Sequence, residues 1–372
     1  MEGSRSGSPH RQWFPPRGRC HPPKAGTSHD GCDGITHMVN QQRKEIALRG
    51  KRVWVPAVEV AGQTVVVTGR LIRVAGVHDA EFAEGERTLD PVEVRRQLAA
   101  AGEVADIFTF SQEIDEHEPK HPYVYDWDNA ALACSANYDA WWNGLPQESR
   151  KNVRRASRRG VSVEVARFDE GFVKGIKAIY DETPVRQGRR FWHYGKDLET
   201  IRTENSSYLS QSVFIGAYHG GQLIGFMKFV YVGNRAVIMQ ILANSSHYDK
   251  RPMNAMIAKA MEICHRNGTS YLVYGRFNYG NKKNDAMAEF KRRNGFDEVR
   301  FPKYFVPLTL RGRMALALRL HRGVLGLFPP GAIRAMLRLR SGLLHLVPVR
   351  HTKRGEGSAD TSTSATGSRD VM

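Results

Sequence analysis

A basic and aromatic segment in the middle of the chain carries residue types that could bind an anion and move a proton. It runs from Arg186 to Lys196, just after Pro184, which ends a predicted helix. Guanidinium and ammonium groups bind acidic ligands, aromatic rings offer stacking faces, and an unperturbed histidine titrates near neutral pH. We predict His193 as a general base and an acidic-acceptor site formed by Arg186, Arg189, Arg190, Trp192, Tyr194 and Lys196. The alternatives are a solvated basic loop whose aromatic residues anchor it to the core and, for His193, an ordinary hydrogen-bonding residue.

A second polar segment, from Tyr274 to Asn284, follows a short predicted strand. Tyr274 or Tyr279 could donate a proton to a leaving thiolate or ribose oxygen. Phosphates could be met by the cations Arg276, Lys282 and Lys283. A Gly/Asn turn with exposed charges explains the same residues equally well.

Hydrophobic periodicity predicts the elements that would position these two segments. The apolar spacing in residues 148–310 predicts strands and helices in the order β-α-α-β-β-β-α-β-α-β. Its strongest local signals are two-residue turns at Gly220-Gly221 and Gly233-Asn234, between apolar runs. Residues 38–147 precede this region as a smaller α/β half, in which Asp90-Pro91 begins a helix that ends at Gly102.

The predicted order resembles that of the GNAT acyltransferase fold, and particular residues strengthen the resemblance. The segment Phe290-Lys-Arg-Arg-Asn-Gly-Phe296 is similar to the FK…FG signature of Fem-type aminoacyltransferases. The basic segment Arg150–Gly160 is similar to the segment that joins the two halves of Fem-like proteins. Over residues 50–310 the resemblance implies an α/β fold with a mixed sheet. It also implies a tandem arrangement, with an incomplete GNAT-like unit at 38–147 and a complete acyltransferase domain at 148–310.

The resemblance implies N-acyl transfer to an amine, with either acyl-CoA, such as acetyl-CoA, or aminoacyl-tRNA as the donor. It places the donor where the fourth and fifth strands of the fold separate, in contact with the backbone of Gln240, Ile241 and Leu242. The FK signature implies that Lys291 contacts the donor or acceptor near the reaction centre. A plain surface lysine on a helix is the alternative for that residue.

The loop that binds the CoA pyrophosphate in GNAT enzymes departs from the family pattern. The segment His247–Ala255 contains no glycine, and Pro252 has no backbone N–H to donate. We therefore predict that Lys250 and Arg251 meet phosphate through their side chains and that Asn254 caps the following helix. The altered loop also leaves two alternatives open: an aminoacyl-tRNA donor, as in peptidoglycan synthesis by Fem-like enzymes, or a non-catalytic GNAT-like binding module.

Two basic stretches predict anionic partners. The chain has a formal net charge of +17, to which residues 311–354 contribute ten Lys/Arg and no Asp/Glu. Within that stretch, residues 311–350 predict basic amphipathic helices that lie on an anionic membrane surface, and packing on the body or nucleic-acid binding are the alternatives. A membrane location would suit a lipid-linked or cell-envelope acceptor, and an anionic small molecule is the other acceptor class. The helix at 150–159 carries like charges four residues apart, so it is a candidate for binding tRNA, or else a solvated basic face.

The remaining composition indicates a reduced, cytoplasmic protein. Peripheral association with the inner face of the membrane is the other location that the basic stretch suggests. The chain has only 4 Cys, and it has no apolar run long enough to span a bilayer. Cys20 and Cys32 stand near histidines at irregular spacing, so we predict no metal site. Residues 1–37 and 351–372 are predicted to be disordered. Met1 and Met38 both remain open as the start of translation.

Overall fold

The computed structural model describes residues 42–48, 51–82, 89–186, 188–278 and 286–322. The predicted N-terminal extension, the tail and residues 323–350 of the basic arm lie outside these ranges. The strands are β1 Arg43–Leu48, β2 Lys51–Val60, β3 Gln63–Thr68, β4 Val74–Val77, β5 Ile107–Ser111, β6 Val124–Cys134, β7 Val161–Ala166, β8 Val185–Arg186, β9 Arg189–Arg190, β10 Ser212–His219, β11 Gln222–Val232, β12 Arg235–Ala243, β13 Tyr271–Val273 and β14 Asp297–Pro307. The helices are α1 Pro91–Ala100, α2 Tyr138–Gly144, α3 Gln147–Arg158, α4 Glu170–Tyr180, α5 Leu198–Asn205, α6 Pro252–Arg266, α7 Ala286–Arg293 and α8 Leu310–Ala317.

Twelve of these strands form one mixed sheet, in the order β1-β2-β3-β4-β5-β14-β6-β13-β12-β11-β10-β7. The strands β8 and β9 form a separate ribbon. From β7 onward the chain follows the order predicted from the sequence, apart from that ribbon between α4 and α5. The predicted fold class, a mixed sheet with GNAT-like element order, is therefore confirmed.

The two halves of the chain share this sheet by exchanging their last strands. Strand β14, from the second half, pairs with β5 and β6 of the first half. Strand β6, from the first half, pairs with β13 of the second half. Each half contains a parallel pair joined by a helix, β4-α1-β5 and β12-α6-β13. Only two residues separate β1 from β2, which leaves no room in the first half for counterparts of α4 and α5.

Helix caps and apolar faces explain why these segments fold as they do. The side chain of Asp90 accepts a hydrogen bond from the N–H of Val92, and Pro91 is the first helical residue of α1, as predicted. In α4, Phe172, Ile176 and Ile179 form the predicted buried face. They pack against one face of the sheet, while α6 covers the other. No helix within the described ranges is long and apolar enough to cross a membrane.

Candidate active site

The parallel strands β12 and β13 separate in the second half of the sheet. Their pairing ends at Val237 opposite Val273, and β12 carries an extra residue, Met239, where its register with β11 shifts. After β13 the chain stays with β6, because the N–H of Tyr274 donates to the carbonyl of Ala131 at 2.8 Å. The following residues of β12 therefore border a wedge between the strands, where backbone groups can bind an extended ligand.

A cavity of about 710 Å³ opens at this wedge. Its walls come from β12, the residue after β13, the start of α6, α7 and the rim formed by residues 183–191. The lining includes Ile241, Leu242, Tyr274, Met287 and Phe290. A second cavity, of about 530 Å³, shares part of this lining and extends to Ser149 and Asn152 of α3. Of the predicted site residues, the structure brings together in the first cavity Arg186, Arg190, Ile241, Leu242, Arg251, Asn254 and Tyr274.

The start of α6 differs from the prediction. The residue before the helix is Arg251, in a left-handed conformation with φ of 59°, and no side chain caps the helix. Asn254 is not the cap, because it lies one turn further on, buried, with its amide donating to Asn294 at 2.8 Å. Arg251 is exposed and lines both cavities, whereas Lys250 lines neither and lies 3.5 Å from Asp249. The phosphate-binding potential of this loop therefore rests on Arg251 and the first-turn N–H groups of α6.

Arg186 holds the rim of the cavity in place. Its guanidinium donates to the carbonyls of Ala243 at 3.0 Å and Ile179 at 2.9 Å, and to the Glu182 carboxylate at 2.9 Å. Glu182 in turn accepts from the backbone N–H groups of Ser245 and Ser246. Burial acts to raise the pKa of Glu182, but these hydrogen bonds and the charge of Arg186 lower it overall. Arg186 was predicted to bind an acidic acceptor; its terminal nitrogens are instead engaged within the protein.

The other predicted acceptor residues divide into exposed and paired groups. Arg190, Trp192 and Tyr194 are exposed, and of these Arg190 lines the cavity. Lys196 is largely buried, forms an ion pair with Glu204 at 2.7 Å and stacks on Trp192, so it departs from the prediction of an available cation. The side chain of Arg189 lies outside what the structure describes.

His193 is buried behind the wedge. Its Nε2 lies 3.3 Å from the Gln240 amide and its Nδ1 lies 3.4 Å from the Lys196 ammonium, while its ring packs 4.2 Å from that of Tyr180. Burial, followed by the charges of Lys196 and Arg186, lowers the pKa of His193 to about 3. The ring is therefore not the unperturbed histidine that would titrate near neutral pH, and it is a neutral hydrogen-bonding partner of Gln240.

This shift predicts a specific acid sensitivity. The unfolded chain binds a proton on His193 below its ordinary pKa of 6.5, whereas the folded chain does so only near 3. The contribution of the neutral ring to the free energy of unfolding is therefore present above pH 6.5 and is lost as the pH falls toward 3. At about pH 5 this group should lower the free energy of unfolding by about 2 kcal/mol relative to neutral pH.

Chemical denaturation of the wild type and of His193→Gln at several pH values would measure this loss. The variant should lose the dependence between pH 6.5 and 5, whereas His265→Gln, which changes an exposed histidine, should retain it. Equal pH dependence in the wild type and His193→Gln would contradict the buried, neutral ring.

Tyr274 and Lys291 meet on the other side of the wedge. Tyr274 lines the cavity, and its hydroxyl lies 4.0 Å from the sulfur of Met287. Lys291 is fully buried, donates to the carbonyl of Arg276 and places its ammonium 4.5 Å from the centre of the Tyr274 ring. The surface-lysine alternative for Lys291 is therefore wrong. Tyr279, Lys282 and Lys283 lie outside the described residues.

Sequence analysis missed a buried lysine in the same half of the sheet. Lys228 lies in β11 opposite Gln240, is fully buried, and donates to the carbonyls of Asn205 at 2.9 Å and Ser207 at 2.5 Å. Burial lowers its pKa to about 8. Its one sequence signal is a single charge within the apolar run Leu223–Val232. By holding the end of α5, Lys228 supports the wall behind Gln240.

The basic helix α3 lies next to the second cavity. Cations of α3 and its C-terminal cap are partly offset by acidic residues, since half-buried Arg155 lies 3.5 Å from Glu148 and exposed Arg159 lies 2.9 Å from Asp249. Arg154 lies over the ring of Trp142 at 5.7 Å. These contacts reduce the like-charge repulsion that the sequence suggested. Lys151, Arg154 and Arg158 remain exposed on α3, whose residues at the cavity are Glu148, Ser149 and Asn152.

Likenesses to known proteins are found among solved structures. No family model matches the chain, and no curated protein matches it in sequence. Among solved structures it is similar to FemX, with 11% identity, a TM-score of 0.48, and coverage of 75% of this chain and 90% of that one. It is also similar to the C-terminal domain of a putative lysylphosphatidylglycerol synthetase from Agrobacterium fabrum, with 14% identity, a TM-score of 0.46, and coverage of 71% of this chain and 87% of that one. A third similar structure is a tandem GNAT protein from the clavulanic acid biosynthesis pathway, with 10% identity, a TM-score of 0.40, and coverage of 69% of this chain and 82% of that one.

These likenesses are distant, and the assignment of the fold rests on the strand order and the separation of β12 from β13. The strand order and the wedge define a GNAT-like fold. Within this fold the two halves of the chain share one sheet.

Proposed function

We propose that this chain is an N-acyltransferase that transfers an acyl group from acyl-CoA to an amine on an anionic acceptor. The observation that carries the proposal is the wedge between β12 and β13, with its cavity of about 710 Å³. An extended donor arm can hydrogen-bond the backbone of Gln240, Ile241 and Leu242 there. Polarisation by those groups and positioning of the two reactants are the main contributions the protein would make.

The residues around the wedge suggest how the transfer proceeds. The donor phosphates meet Arg251 and the first-turn N–H groups of α6, while the acceptor enters at the rim beside Arg190. The neutral amine forms a bond to the acyl carbon and the carbon–sulfur bond breaks. Tyr274 gives its proton to the departing thiolate, and the proton of the amine leaves to water, because a histidine with a pKa of about 3 is a poor base.

A thermal-shift titration of the full chain with acetyl-CoA, longer acyl-CoAs and free CoA tests the donor. A ligand at about 100 times its Kd should stabilise the protein by about 2.7 kcal/mol, seen as a saturable rise in Tm. Arg251→Gln should weaken binding about tenfold, since a hydrogen bond to a charged group contributes about 1.5–3 kcal/mol. Arg202→Gln, at an exposed arginine on α5, is the matched control. No shift with any CoA compound on folded protein would contradict the CoA donor.

The second cavity favours one alternative donor, an aminoacyl-tRNA. That cavity shares lining residues with the first and reaches α3, whose exposed cations outside the lining, Arg154 and Arg158, could bind phosphates. Binding of charged tRNA with a steep salt dependence, together with no response to CoA compounds, would support this alternative. Arg154→Gln and Arg158→Gln should then weaken tRNA binding and reduce its salt dependence.

A further inference from the structure

The helix α8 presents one buried face and one exposed apolar face. Its buried face consists of Gly312, Ala315 and Leu316, which lie against the sheet at Ile107 of β5 and Phe305 of β14. A Cβ atom at Gly312 would lie 1.9 Å from the backbone oxygen of Asp106, so only glycine permits this close approach. The packing therefore fixes which side of α8 faces outward.

The outward side carries large apolar residues four positions apart. Leu310, Met314 and Leu318 are 73%, 58% and 57% exposed. We call these three residues the α8 patch. Exposed large apolar residues that cluster in this way are characteristic of an interaction surface.

The surroundings of the α8 patch are basic. Exposed arginines flank it at Arg311, Arg313, Arg319 and Arg322. Arg322 is paired with Asp126, and Arg311 lies 3.6 Å from Asp106. The side chains of Arg313 and Arg319 are exposed to solvent. The sequence has no acidic residue from 311 to 354, so the excess of positive charge continues in the sequence after α8.

We propose that the α8 patch binds an anionic membrane surface. Apolar side chains that insert at the lipid boundary, flanked by arginines that meet anionic headgroups, fit such a surface. A nucleic acid would use the arginines but gain little from Leu310, Met314 and Leu318. Packing of the chain's own C-terminal segment on the patch would not depend on lipid charge. This proposal is independent of the acyl donor, because α8 shares no residue with the wedge.

Flotation of the full chain with vesicles tests the proposal. Vesicles of phosphatidylcholine mixed with phosphatidylglycerol should carry the protein, and vesicles of phosphatidylcholine alone should carry much less. The triple variant Leu310→Gln, Met314→Gln, Leu318→Gln should bind at least about tenfold more weakly, given about 0.8 kcal/mol per buried CH₂. Arg313→Gln and Arg319→Gln should each weaken binding about fivefold, and high salt should do the same.

The matched control removes exposed apolar residues elsewhere. Val165→Gln with Leu209→Gln should float as the wild type does, because both residues are exposed and lie outside the α8 patch. Thermal unfolding of every variant checks that loss of flotation is not loss of folding. Failure of the wild type to float with the anionic vesicles, or equal flotation of the triple variant, would overturn the proposal. So would tRNA binding that depends on Arg313 and Arg319 in the absence of any vesicle binding.

Discussion

Replacing Tyr274 with phenylalanine should lower kcat for acyl transfer about 100-fold, the usual scale for losing a positioned proton donor. The hydroxyl is the group of this residue that can donate a proton, and the residue lines the cavity at the wedge. Its ring should stay in place, because it packs against Phe296 at 5.7 Å and under the ammonium of Lys291 at 4.5 Å. KM for the donor should change much less than kcat, since phenylalanine keeps the shape of the wall.

Two further measurements separate this role from a packing role. Tyr271→Phe changes a tyrosine in β13 that lies outside the cavity lining, and it should leave kcat near the wild-type value. A substrate whose leaving thiol has a low pKa should recover much of the rate in Tyr274→Phe, because it needs less protonation. Unchanged kcat in Tyr274→Phe would remove this residue from the reaction and leave the wedge without its predicted proton donor.

Local sequence signals were sufficient to predict the order of the elements from β7 onward. The Gly220-Gly221 and Gly233-Asn234 turns join β10, β11 and β12 as predicted, and both observed turns contain glycines with positive φ. The exchange of β6 and β14 was not predictable in the same way, because it depends on pairings between residues far apart in sequence.

The candidate site was predicted less completely, because residue type does not reveal burial or pairing. Arg190, Ile241, Leu242, Arg251 and Tyr274 do line one cavity. Other polar residues of the same segments turn inward, as His193 does toward Gln240 and Lys196 does toward Glu204. A sequence shows that a cation is present, but the partner that engages it comes from another element of the fold. This is why basic residues that looked available are in part structural.

Arg186→Met should lower the free energy of unfolding by about 3 kcal/mol, the scale for removing one partner of a buried ion pair. The side chains of Arg186 and Glu182 are only 13% and 14% exposed, so little water can replace the lost contacts. The variant also leaves the carbonyls of Ala243 and Ile179 without this donor. The rim should loosen over the cavity, so donor binding should weaken along with stability. Chemical denaturation and the CoA titration would measure the two effects.

The controls for this variant lie in the same segment. Arg190→Met removes an exposed arginine four residues away, and its free energy of unfolding should stay within about 0.5 kcal/mol of the wild type. Adding Glu182→Gln to Arg186→Met should restore part of the loss, because the buried carboxylate no longer lacks its counter-charge. A fully stable Arg186→Met that fails only to bind the anionic acceptor would contradict the structural role. It would return Arg186 to the acceptor site that its sequence context first suggested, since the guanidinium would then have to leave Glu182 to meet the ligand.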